Sequence, residues 1–312
     1  MNTHSLIVRL PNWVGDVMMT LPTLQTFHQQ GIELQLFGKP WIKDLLATSN
    51  FPLHSLESGF WSNRKKLAAI PNDKVLLLTN SFSSALMARL AHKKIIGYTT
   101  DNRRVLLNAG IAKRPHLHEV QYFWEISRFA AKHWFPLITW PEQIPGLNLS
   151  PNPLTLEKIK QRLAESNISK PFWVLCPFAH GSGKNGQSKI WPHWASLSKH
   201  LSKHPTVVCP GKNDEHLCES LVPGATVLAD LNLSEFAALL SQAEQVIAND
   251  SGPMHIATSV GVKTLGIFGV TDPKRTSPWG GEFIGDLEAW PTLEEVLARI
   301  NLINKGFVDK VV

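Results

Sequence analysis

Long apolar runs are missing from this chain of 312 residues, and so are paired cysteines, a Walker phosphate loop and an Asp-X-Asp pair. Each absence removes a class of protein. No run approaches the roughly 18 apolar residues that a membrane span requires. The first residues lack the basic and long apolar regions of a secretion signal, so a cytoplasmic protein is expected. The three cysteines, Cys176, Cys209 and Cys218, form no close pair and leave one over, which argues against a disulfide framework or a zinc knuckle. Charged residues are sparse at 18%, whereas hydrophobic residues reach 43%, enough for two ordinary cores. The formal charge is +6, yet the basic residues are scattered and no nucleic-acid motif accompanies them, so nucleic acid is not an expected partner. An anionic small molecule or an anionic membrane surface suits that charge better. Eleven tryptophans are many for this length, and the core or a domain interface should take most of them.

What is present is an alternation of buried strand and helix, which predicts α/β structure with parallel sheets. Ser5 to Leu10 reads as a first strand, followed by a helix over residues 16–28 with apolar positions at Val17, Leu21, Leu24 and Phe27. Further strands are expected at Ile32 to Phe37, Lys74 to Thr79 and Lys94 to Tyr98. Arg103, Arg104, Lys113, Arg114, His116 and His118 then gather in a stretch without clear periodicity, read as a mobile basic loop suited to phosphate or carboxylate groups. Prolines 136, 141, 145, 151 and 153 mark a linker. The order then repeats, which predicts a first domain over residues 1–150 and a second over 151–312 that closes with an amphipathic helix from Thr292 to Asn304.

Two turns stand out. Trp13-Val14-Gly15-Asp16 lies at the carboxyl end of the first strand, where open α/β sheets bind ligands. Asp16 at that point serves either as a helix N-cap or as a functional carboxylate. In the second half, the run Gln245 to Ala248 ends at Asn249-Asp250-Ser251-Gly252-Pro253-Met254-His255. A buried strand therefore meets a helix whose first turn tolerates proline, and its free N–H groups form an anion site with His255 nearby. The loop Pro177 to Pro192 is glycine-rich without the spacing of a Walker motif. Its N–H groups, Ser182 and the lysines Lys184 and Lys189 suit a diphosphate.

Asp250-Ser251-Gly252-Pro253-Met254-His255, with Phe268-Gly269 and the loop Thr271 to Thr276, resembles the signature of glycosyltransferase family 9, the bacterial lipopolysaccharide heptosyltransferases. Trp13 to Met19 resembles that family's amino-terminal motif. The resemblance implies the GT-B architecture, two Rossmann-like domains facing a cleft, and an inverting, metal-independent transfer. Asp16 would be the catalytic base. Lys189, Ser182, Glu215, Asp250, Ser251, Gly252, Met254 and His255 would hold the donor, with Lys189 on its phosphates and Glu215 on its ribose. The loop at 178–188 is longer than the family's, which leaves open which of Ser182, Lys184 or Ser188 replaces the family's phosphate-binding hydroxyls. The implied donor is ADP-L-glycero-D-manno-heptose, the implied acceptor the lipopolysaccharide inner core, with peripheral contact at the inner membrane and no cofactor. The motif wording leans toward the second heptose transfer. The competing classes are a nucleotide-sugar epimerase or hydrolase on the same scaffold, and a non-catalytic nucleotide-sugar binder.

Overall fold

The computed structural model describes residues 4–49 and 51–306. They divide into two compact units, one running to Pro145 and the other starting at Gly146. The first unit contains strands β1 (Ser5–Arg9), β2 (Glu33–Gly38), β3 (Leu53–Ser55), β4 (Lys74–Leu77), β5 (Lys94–Tyr98) and β6 (Ala109–Ile111). The second contains β7 (Trp173–Cys176), β8 (Thr206–Val208), β9 (Thr226–Val227), β10 (Gln245–Asn249), β11 (Lys263–Ile267) and β12 (Glu282–Ile284). Every pairing is parallel, and the spatial orders are β3-β2-β1-β4-β5-β6 and β12-β11-β10-β7-β8-β9.

These two orders are the same order. In each sheet the chain works outward from its first strand to one edge, returns, and works outward to the other, as in dinucleotide-binding folds. The direction reverses between β1 and β4, and again between β7 and β10. Loops at the carboxyl ends of those strand pairs leave a crevice, because their connections depart toward opposite faces. The central strands are apolar because helices cover both faces. Ile7, Phe37, Val75, Leu77 and Ile95 pack with Ala85 and Ala88 in the first unit. Trp173, Leu175, Ile247, Leu265 and Ile267 pack with Trp191 and Trp194 in the second.

Three features depart from the sequence reading. The single helix expected over residues 16–28 is two, Val14–Met19 and Leu21–Gln29, joined at Thr20. Pro22 has no N–H for the ladder, and the Thr20 hydroxyl donates to the Val17 carbonyl at 2.7 Å. The N-cap of the first helix is Trp13, so Asp16 is not the cap and lies within the first turn. The supposed mobile basic stretch is built structure: a 3-10 turn at Arg103–Leu106, the edge strand β6, and His118 as N-cap of the helix Glu119–Trp134. The terminal helix Leu293–Asn304 places Val296, Ile300 and Ile303 in the core of the second unit.

Candidate active site

The site is built where β7 and β10 part. Strand β10 is wholly buried to Asn249, and Asp250 beyond it remains 7% exposed. Ser251 is in extended backbone as the N-cap of the helix Gly252–Ser259, but its side chain makes no cap bond. Its hydroxyl is buried without a hydrogen-bond partner among the described residues. Unmet donors at a helix N-terminus, together with that hydroxyl, suit an anion. Two residues of the motif face inward. Met254 is fully buried, and a Cβ added at Gly266 of β11 would meet its sulfur at 2.6 Å. His255 is only 3% exposed. Met254 therefore seats the helix on the sheet.

Lys189 reaches this turn from the other side. Its Nζ lies 2.8 Å from Asp250 Oδ2, and the two side chains are 17% and 10% exposed. The loop that carries it is ordered by its own contacts. Ser182 and Ser188 form an antiparallel bridge around the turn Lys184–Gly186. The Lys184 N–H donates to the Val270 carbonyl at 2.7 Å, and a Cβ at Gly183 would overlap Val270 at 2.3 Å, so this close approach requires glycine. Lys184 Nζ is engaged by Glu288 at 2.7 Å, and Ser182 is exposed. Of the two lysines, Lys189 is the one held at Asp250.

The turn after β8 offers carboxylates. Glu215 is exposed at the start of a 3-10 turn, whereas Asp214 is buried and lies 3.1 Å from Nε2 of His180 in the loop after β7. Sequence spacing could not join these two, which are 34 residues apart.

In the first unit Asp16 is half-buried in the first helical turn. Beneath this turn lies Arg9, 8% exposed, with Nη2 donating to Asn12 Oδ1 at 2.8 Å and Nη1 to the Leu10 carbonyl. Burial lowers its pKa to about 10. Arg103, expected as a basic ligand, is fully buried instead. Its Nε donates to Tyr98 O at 2.7 Å and its Nη1 to Thr79 O at 2.6 Å, which ties the carboxyl ends of β4 and β5 together. His118 is also structural, since its Nδ1 accepts from the Val120 N–H at 3.2 Å. Exposed apolar residues follow the carboxyl ends of these strands in the chain: Trp13 after β1, Trp61 after β3, Phe82 after β4 and Val105 after β5.

A family model described as "Glycosyltransferase family 9 (heptosyltransferase)" matches residues 60–289. The chain is 26% identical to lipooligosaccharide heptosyltransferase 2 of Haemophilus influenzae, over 88% of this chain and 86% of that protein. It is 27% identical to lipopolysaccharide heptosyltransferase 2 of Escherichia coli K12, over 88% and 85%. Among solved structures, the Escherichia coli ADP-heptose lps heptosyltransferase II superimposes with a TM-score of 0.79 at 20% identity, covering 97% of this chain and 99% of that one.

Proposed function

Because the chain belongs to glycosyltransferase family 9, we propose that it transfers a heptose from ADP-L-glycero-D-manno-heptose to the lipopolysaccharide inner core, with inversion and without a metal ion. The observation that carries this reading is the Lys189–Asp250 pair beside the N-terminus of the helix Gly252–Ser259. A diphosphate leaving group needs positive charge where its own negative charge develops. Lys189, the first-turn N–H groups and the Ser251 hydroxyl supply it. His255 and Met254 hold the helix that presents those N–H groups. Glu215, exposed beyond β8, takes the ribose hydroxyls, while Asp214 is engaged by His180.

In the transfer, the acceptor hydroxyl oxygen attacks the anomeric carbon from the face opposite the diphosphate. The bond from that carbon to the phosphate oxygen breaks, ADP departs with the electron pair, and Asp16 takes the hydroxyl proton. A carboxylate suffices as base because the hydroxyl becomes acidic only as the new bond forms. Asp250 orients Lys189 and the donor sugar. The exposed rings of Trp13, Trp61 and Phe82 offer faces to the acceptor's sugars. An acceptor anchored in lipid brings the enzyme to the inner membrane surface, and no helix among the described residues is long and apolar enough to cross it.

Mass spectrometry tests the reading with core acceptors truncated before and after the first heptose. We expect one added heptose, on the acceptor that already carries one. Release of free heptose with no gain in acceptor mass would rule out transfer.

A further inference from the structure

Asn249 ends β10 and is wholly buried, and its amide is used on both sides. Nδ2 donates to the carbonyl of Pro177, the first residue beyond β7. Oδ1 accepts from the backbone N–H of Trp191 at 3.1 Å and from the indole Nε1 of Trp194 at 3.2 Å. Pro177 and Trp191 are the two ends of the loop that carries Lys189. One side chain thus joins both ends of that loop, from positions 72 and 58 residues away, and it belongs to the residue directly before Asp250.

We propose that Asn249 is a positioning residue of the donor site: by closing the base of the loop 177–191 it sets Lys189 against Asp250 and beside the helix N-terminus. The proposal rests on the transferase reading above for what the site binds, but not for the geometry. The far end of the loop is rigid enough to transmit the constraint. Trp191 and Trp194 are fully buried and meet edge to face at 5.7 Å, and the Trp191 indole donates to the Pro291 carbonyl at 2.8 Å. Lys189 stands two residues before that anchor. The chemistry also selects asparagine. The position requires an acceptor on one side and a donor on the other, fixed in one plane. An ionised aspartate would turn an oxygen toward the Pro177 carbonyl, and leucine would strand three buried polar groups.

The test compares wild type with Asn249→Asp and with Trp194→Phe, a milder change that removes one of the two donors to Oδ1 and keeps a ring. Three quantities are read: amide exchange across residues 177–192 without ligand, ADP affinity by calorimetry, and donor KM and kcat at pH 6 and pH 8. For Asn249→Asp at pH 8 we expect faster loop exchange, with ADP affinity weaker and donor KM higher by about 10- to 100-fold, the range for partners that orient a ligand-binding group. The value of kcat at saturating donor should change far less. At pH 6 the deficit should shrink. Burial and the facing carbonyl raise the pKa of an aspartic acid there, and its protonated form restores the donor to Pro177.

The titratable groups on the elements that meet here are Cys176 at the end of β7, Lys189 in the loop, His193 at the cap of the helix Trp194–His200, and Asp250 and His255 beyond β10. They are unchanged in the variant, and the wild-type pH profile accounts for them. Trp194→Phe should shift the same quantities in the same direction by less. A folded Asn249→Asp protein with ADP affinity and donor KM within about twofold of wild type, or with unchanged loop exchange, would overturn the proposal. So would an unchanged Trp194→Phe protein if the aspartate variant fails to fold. Should wild type not bind ADP, the transferase reading fails, while the ligand-free exchange comparison still decides the role of Asn249.

Discussion

The ammonium of Lys189 and the carboxylate of Asp250 meet at 2.8 Å with little of either side chain exposed. The cation proposed for the donor's phosphates is therefore already paired with a group of the same turn. In the proposed reaction an incoming diphosphate would share that lysine, and Asp250 would hold it in place between turnovers. Breaking one partner leaves the other buried and uncompensated, which is costly.

Lys189→Gln should lower kcat/KM by about 10²- to 10³-fold, the scale of losing one group that stabilises developing charge. It should also destabilise the fold by about 3 kcal/mol, because Asp250 loses its partner. Adding Asp250→Asn should restore part of the stability and none of the activity. Urea unfolding and steady-state kinetics on the single and double variants read both effects. Lys184→Ala is the control, since its ion pair with Glu288 is exposed and lies outside the site. It should leave donor affinity and stability where they were.

Asp16→Asn keeps the shape of the side chain and removes the proposed base. The expected result is a fall in kcat of about 10²- to 10⁴-fold. ADP affinity and the melting temperature should stay close to wild type. A comparable loss of ADP affinity would mean that Asp16 serves the donor and not the acceptor.

Arg103→Met should unfold the first unit more readily, by about 3 kcal/mol, because the carbonyls of Tyr98 and Thr79 lose buried charged donors. Arg104→Ala, at an exposed neighbour, should cost nothing measurable. The unfolding midpoints in urea separate the two. An Arg103 variant as stable as wild type would contradict the structural role assigned here.

Burial pushes the Cys176 thiol from 9.0 up to about 12. Between those values the unfolded chain has released a proton that the folded chain still holds. Stability from this group is therefore complete below pH 9.0 and is lost as the pH rises toward about 12. The slope is about 1.4 kcal/mol per pH unit. Cys176→Ala should remove that part of the alkaline loss in denaturant titrations between pH 8 and pH 11. In the native protein at pH 8 the Cys176 thiol should not react with a disulfide reagent until denaturant is added.

The central strands could be read because burial on both faces leaves an apolar run, as in Leu6-Ile7-Val8 and Val246-Ile247-Ala248. The strands that escaped are β3, β6, β9 and β12, the two edges of each sheet. An edge strand of two or three residues has one neighbour and partial exposure, so it carries no run to detect. The candidate site could be proposed from sequence where its residues adjoin, from Asp250 to His255. It was illegible where folding brings distant residues together, as with His180 and Asp214 or Asn249 and Trp191. Charge alone misled at Arg103, because a guanidinium can be spent on backbone carbonyls deep in a fold as well as on an anion at its surface.

The repeated strand order gives each unit a complete sheet and its own core, with no strand shared between them among the described residues. The boundary falls in a proline-rich stretch between the helices Glu119–Trp134 and Pro153–Glu165. Change in one half therefore need not disturb the hydrogen bonding of the other. With the donor on the second unit and the acceptor on the first, as the proposed transfer requires, nucleotide handling would stay fixed under selection while acceptor preference drifts, and recombination at that boundary would exchange one without rebuilding the other.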